Sequence, residues 1–201
     1  MSDVVLFHHV LGLTDGVRAF AERLATDGHV VRTPDLYGGQ VATSLDDGFA
    51  IKTRIGDDTI AQRVERAVSG LPDRVVYAGM SLGVMTAQRL AQTRPDAVGA
   101  LLYEACLPVT GEWSLGPWPH GVSVQVHGMD DDQFFAHEGD LDAARELVNV
   151  VGADRAELYL YEGDSHLFLD SSLPSFDDSA TDLVIERSHD FLDRLSSTNP
   201  A

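Results

Sequence analysis

With 201 residues, 44% of them apolar, 18 Gly and 8 Pro, the chain has the size and composition of one globular domain, which excludes collagen-like, disordered and disulfide-scaffold classes. Its 14 Lys and Arg against 32 Asp and Glu give a net charge of −18, and Lys52 is the only lysine, so the electrostatic footprint for nucleic acid or an anionic membrane is missing. Cys106 is the only cysteine, which leaves no internal disulfide and no thiolate zinc site.

Met1-Ser2-Asp3 runs directly into Val4-Val5-Leu6-Phe7 without a basic leader, and no stretch reaches the ~18 apolar residues of a membrane span, so the expected protein is cytoplasmic and unanchored. Residues 4–8 read as a buried strand. Val17, Phe20, Ala21, Leu24 and Ala25 then recur at helical spacing before Gly28. Residues 29–33 form a second expected strand, ending at Pro34-Asp35-Leu36-Tyr37-Gly38-Gly39, and the polar stretch 40–54 reads as loop or lid. Asp57 or Asp58 is the expected cap of a helix carrying Ile60, Ala61, Val64, Ala67 and Val68, closed by Gly70.

Residues 74–78 are the next strand, followed by Gly79-Met80-Ser81-Leu82-Gly83 and a helix with Met85, Leu90 and Ala91 that Arg94-Pro95 ends. A strand over 98–103 leads through a turn-rich segment with Pro108, Gly111, Trp113, Gly116, Pro117, Trp118 and Pro119 to a strand over 122–126. Asp130-Asp131-Asp132, a helix around 141–150, a strand over 156–161 and a closing helix around 181–195 complete the pattern. Six or more strands alternating with helices predict an α/β fold, a mostly parallel central sheet with helices on both faces. Without repeats or linkers this is a single domain over residues 1–195, with 196–201 a loose tail.

The glycine-flanked Ser81 lies between the β-rich run Val75-Val76-Tyr77-Ala78 and a helix, the setting of a sharp strand-to-helix turn that lifts a serine hydroxyl above a sheet. The alternative is that Ser81 only caps the helix. A nucleophilic hydroxyl needs a base. His166 supplies one in Tyr161-Glu162-Gly163-Asp164-Ser165-His166, at the end of the last strand. Asp130, Asp131 and Asp132 offer the orienting acid between them, in the chain order Ser, acid, His. Asp132 is preferred because Gln133-Phe134-Phe135 follows it, an aromatic pair that anchors the loop; Asp131 is the alternative. Backbone N–H groups of Leu82 and Val10 are the expected oxyanion donors. His8 and His9 are adjacent on a strand end, so they face opposite sides and cannot chelate one metal; one of them lines the pocket or simply closes the strand.

Phe7-His8-His9-Val10-Leu11-Gly12-Leu13, Thr33-Pro34-Asp35-Leu36-Tyr37-Gly38, the Ser81 pentapeptide, Asp132-Gln133-Phe134-Phe135 and Tyr161-Glu162-Gly163-Asp164-Ser165-His166-Leu167-Phe168 together resemble the dienelactone hydrolase family of α/β-hydrolases. The resemblance implies an α/β-hydrolase fold, Ser81, Asp132 and His166 as catalytic triad, Val10 and Leu82 as oxyanion donors, and neither metal nor organic cofactor. The best-known members differ in carrying cysteine at the Ser81 position and glutamate at that of His9. Four residues beyond the triad histidine they hold a carboxylate-binding arginine, where this chain has Asp170. The expected activity is serine-dependent cleavage of small carboxylic esters or lactones, with His8, His9, Tyr37 and Asp170 as pocket candidates and Asp170 repelling anionic substrates. The alternative is a non-catalytic scaffold of the same fold that binds a small apolar ligand or a protein partner. A small-molecule substrate is the expected partner, nucleic acid and membrane are not, and the sequence allows a homo-oligomer.

Overall fold

The computed structural model describes residues 1–112 and 114–197, so Trp113 of the turn-rich segment and residues 198–201 of the expected tail lie outside the described residues. The elements are β1 (Asp3–Phe7), α1 (Asp15–Leu24), β2 (Val30–Arg32), α2 (Leu45–Ile55), α3 (Asp57–Val68), β3 (Val75–Met80), α4 (Leu82–Thr93), β4 (Ala97–Tyr103), β5 (Ser123–Met129), α5 (Asp140–Val151), β6 (Ala156–Tyr161) and α6 (Asp178–Ser197).

The strands pair in the order β2-β1-β3-β4-β5-β6, every pair parallel. Side chains alternate between the faces of a strand, so a sheet covered on both sides needs apolar residues at successive positions. Val5, Phe7, Val75, Tyr77, Ala100, Leu102, Val124 and Val126 accordingly pack towards α2, α3, α4 and α5. Their neighbours Val4, Leu6, Val76, Ala78, Leu101 and Tyr103 pack towards α1 and α6. The polar exceptions on the latter face, Gln125 and His127, satisfy each other: His127 Nε2 donates to Gln125 Oε1 at 2.7 Å, and its Nδ1 accepts the Tyr161 hydroxyl at 2.8 Å. Burial lowers the His127 pKa to about 3 and keeps the ring neutral, which makes it a core group.

The stretch expected as a loop or lid contains α2. Ser44 caps it by accepting the Asp47 N–H at 3.2 Å, with Asp46 and Asp47 in the first turn and Lys52 and Arg54 in the last. Gly56, at φ 82°, ends α2 and starts α3, so Asp57 and Asp58 are the first residues of α3 rather than its cap. Gly48 brings α2 onto the strand end that follows β1, where a Cβ would sit 2.5 Å from the Val10 carbonyl oxygen. β3 and β5 run two and three residues past their expected ends, to Met80 and Met129. α6 reaches Ser197, so Ser196 and Ser197 of the expected tail are helical. Among the described residues no helix is long and apolar enough to cross a membrane.

Candidate active site

In a parallel sheet all strands point one way, and the chain order reverses direction between β1 and β3, which opens a crevice at their carboxyl ends. Val10 follows β1, Ser81 β3, Glu104 β4, Asp132 β5 and His166 β6, so chain connectivity alone collects them along one edge.

Ser81 adopts φ 46° and ψ −114°, a strained positive-φ conformation for a side-chain-bearing residue. The turn is held by the close approach of its glycines: a Cβ on Gly79 would lie 2.5 Å from Gly83 backbone atoms, and one on Gly83 would lie 2.3 Å from the Phe7 carbonyl oxygen. Ser81 stands at the N-cap position of α4, but its side chain makes no capping bond. Its Oγ instead lies 2.8 Å from His166 Nε2.

His166 Nδ1 lies 2.7 Å from Asp132 Oδ2, and the other carboxylate oxygen of Asp132 accepts the Phe134 N–H at 2.9 Å. Asp132 is 0% exposed. The three aspartates thus separate: Asp131, its side chain 73% exposed, pairs with His137, and Asp130 accepts the Gly163 N–H. The two phenylalanines behind Asp132 also separate, Phe135 entering the core while Phe134 stays exposed with its ring 4.8 Å from that of His166. Burial opposes a charged His166, yet the hydrogen bond to Asp132 and the charges of Glu104, Asp132 and Asp140 outweigh it and raise its pKa above the ordinary 6.5.

Ser81 and His166 open into a cavity of about 360 Å³, also lined by Val10, Leu82, Phe49, Met85, Phe134 and Glu104. Neither the Val10 nor the Leu82 backbone N–H has a hydrogen-bond partner among the described residues. A second cavity of about 370 Å³ shares Leu82, Met85 and Leu107 with the first and is lined by His8 and Tyr37. There the His8 Nδ1–H donates to the His9 carbonyl and Nε2 accepts the Leu36 N–H, which fixes one neutral tautomer; burial lowers its pKa to about 4. Cys106, buried just past β4, packs in the core on the α2 to α5 side. Among the described residues no group of three or more His, Cys, Asp or Glu side chains is arranged to hold a metal ion.

Two pocket candidates lie elsewhere. His9 and Asp170 are both fully buried and line neither cavity. The His9 Nε2–H donates to Asp170 Oδ2 at 2.8 Å, the Thr14 hydroxyl donates to the same oxygen at 2.6 Å, and Ser172 donates its N–H and hydroxyl to Oδ1. Thr14 in turn caps α1 by accepting the Val17 N–H. These bonds outweigh the cost of burial and hold the Asp170 pKa down to about 2. Asp170 is therefore a clamp between the His166 loop and α1, and the expected repulsion of anionic substrates at close range has no basis. Asp170→Asn presents an NH₂ to a site built of donors and is expected to cost roughly 2–4 kcal/mol in urea unfolding while leaving the preference between a neutral ester and its carboxylate analogue unchanged.

Glu104 was missed in the sequence, although an ionisable residue directly after the buried run Leu101-Leu102-Tyr103 is a signal in itself. It is 1% exposed and non-glycine at φ 65°. Burial raises its pKa to about 7, with the charge of His166 acting in the opposite direction.

The parallel sheet, the Ser81 turn and the groups gathered at its edge define an α/β-hydrolase fold. The chain belongs to the dienelactone hydrolase family, whose model matches residues 1–196. A dienelactone hydrolase-like promiscuous phosphotriesterase from metagenomic libraries superposes with a TM-score of 0.74 at 23% identity, covering 97% of this chain and 87% of that one. A propionate-bound thermophilic esterase from Thermogutta terrifontis does so with a TM-score of 0.61 at 18% identity, covering 100% and 85%. A curated relative, the pimeloyl-[acyl-carrier protein] methyl ester esterase of Aromatoleum aromaticum, is 38% identical over 72 residues; the match spans 34% of this chain and 28% of that protein.

Proposed function

We propose that the protein is a serine-dependent hydrolase of small carboxylic esters or lactones. The observation that carries this reading is the continuous hydrogen-bonded chain from Ser81 through His166 to buried Asp132, with Ser81 held in a strained turn. As Ser81 Oγ bonds to the carbonyl carbon, its proton passes to His166 Nε2, and Asp132 stabilises the imidazolium through Nδ1–H. The N–H groups of Val10 and Leu82 receive the oxyanion. Collapse of the tetrahedral species breaks the ester C–O bond, and His166 returns the proton to the leaving alkoxide. Water, deprotonated by the same imidazole, then releases the acid from Ser81.

The adjoining cavities supply room for an acyl and an alcohol portion on the two sides of Leu82, between apolar walls that include Phe49, Val84, Ile60 and Val64. Those apolar stretches favour compact esters, and Lys52, Asp57 and Arg89 add charge to the wall of the second cavity. The esterase names of the curated relative and of the Thermogutta terrifontis neighbour point the same way. A chain-length series of neutral p-nitrophenyl esters, with Ser81→Ala as control, tests the reading: turnover is expected to peak among short to medium acyl chains and to depend on Ser81. Turnover of none of them, or turnover indifferent to Ser81, would contradict it.

The pH dependence has a definite sign. His166 accepts a proton only when neutral, and its pKa lies above 6.5, so kcat/KM rises with pH through an ionisation on the alkaline side of that value. A profile of kcat/KM between pH 5 and 9 that stays flat would remove histidine as the base.

A further inference from the structure

Glu104 is expensive for the fold. Its carboxyl is buried, Oε2 has no hydrogen-bond partner among the described residues, and Oε1 receives only the Leu169 N–H at a long 3.4 Å. Its backbone is also held at φ 65°. A buried carboxyl with one long bond for two oxygens destabilises relative to an apolar side chain of the same size, so packing alone gives no reason for a glutamate.

Its surroundings supply one. Glu104 lines the same cavity as Ser81 and His166. The ionisable groups that act on it are His166 from the loop after β6, Asp132 from the loop after β5 and Asp170 from further along the His166 loop. His166 is also influenced by Asp140 at the start of α5. Among these groups only His166 is able to carry positive charge.

We propose that Glu104 is a positioning residue, a second carboxylate that stabilises the His166 imidazolium formed when Ser81 gives up its proton. The inference rests on the reading of Ser81 and His166 as nucleophile and base. Asp132 holds His166 by a direct hydrogen bond, whereas Glu104, itself buried, acts through its charge, which weighs more there than in open water. Only the ionised form acts. Burial lifts the Glu104 pKa to about 7, and its neighbours raise that of His166 above 6.5, so full activity requires two deprotonations and the acid limb of kcat/KM is steeper at its foot than one ionisation allows.

The test is Glu104→Gln, which keeps size and shape and removes the charge. By NMR titration, with the His166 signal assigned through His166→Ala, the imidazole pKa is expected to fall by about half a pH unit or more. The plateau of kcat/KM is expected to drop roughly 10- to 100-fold, with an acid limb of single-ionisation steepness displaced to lower pH. Glu104→Asp, which restores a carboxylate, should bring back the steep limb. A group present only for packing would lower the melting temperature on substitution and leave the His166 titration where it was. An unchanged His166 titration in folded Glu104→Gln overturns the inference, while continued dependence of turnover on Ser81 leaves the underlying reading intact. If turnover is indifferent to Ser81, the nucleophile reading falls and this inference falls with it.

Discussion

Ser81→Ala is expected to lower ester hydrolysis by roughly 10⁴- to 10⁶-fold while leaving the protein folded, because nucleophile, base and acid act as a unit and the loss of one removes the covalent route. The fold should tolerate the change. The hydroxyl makes no capping bond to α4, and its bond to His166 joins two partly exposed groups. The turn is instead maintained by the close contacts of Gly79 and Gly83 and by the Ser81 N–H bonded to the Tyr103 carbonyl at 2.8 Å, all of which alanine preserves. Alanine at φ 46° is strained about as much as serine, so the melting temperature should shift little. Steady-state kinetics beside circular dichroism checks both halves of the expectation.

Asp132→Asn should cost roughly 10³- to 10⁴-fold in turnover, and the reason is a tautomer. One oxygen of Asp132 accepts the Phe134 N–H and the other faces His166 Nδ1. Asparagine keeps its single oxygen on the Phe134 N–H and turns its NH₂ towards the ring, so Nδ1 becomes the acceptor and Nε2 carries the hydrogen. Nε2 then has no lone pair for the Ser81 proton. Asp131→Asn and Asp130→Asn should stay within a fewfold of wild type, because Asp131 points to exposed His137 and Asp130 to the Gly163 backbone. If Asp131→Asn proves the damaging change, the assignment of the acid is wrong by one residue.

Glycines, aspartates and a histidine in the right order made much of the candidate site legible, because a nucleophile turn demands small flanking residues whatever the rest of the chain does. The strands were legible for a related reason: a sheet buried on both faces writes near-continuous apolar runs. α2 was hidden because Gly48 interrupts it and its apolar stripe is thin, although Ser44, Asp46, Asp47 and Gly56 spell out its two ends. Asp170 misled because distance along the chain from His166 does not say which way a loop turns. Leu167 at φ 60° and the Asp170 N–H bonded to the Leu167 carbonyl fold that loop back towards α1, away from the cavity. His9 followed its partner inward. Glu104 shows in the sequence only as an ionisable residue after a buried run; that its Oε2 has no hydrogen-bond partner among the described residues shows only in the folded chain.

Mass spectrometry after exposure to a fluorophosphonate probe reports directly on Ser81 as nucleophile, because the probe reacts with a serine only when a base activates its hydroxyl. One adduct per chain is expected, carried by Ser81, absent from Ser81→Ala and formed far more slowly in Asp132→Asn. A folded protein that still takes up the probe on another residue after Ser81→Ala would rule out Ser81 as the activated serine, and one that takes up no probe would leave the fold as a scaffold for binding.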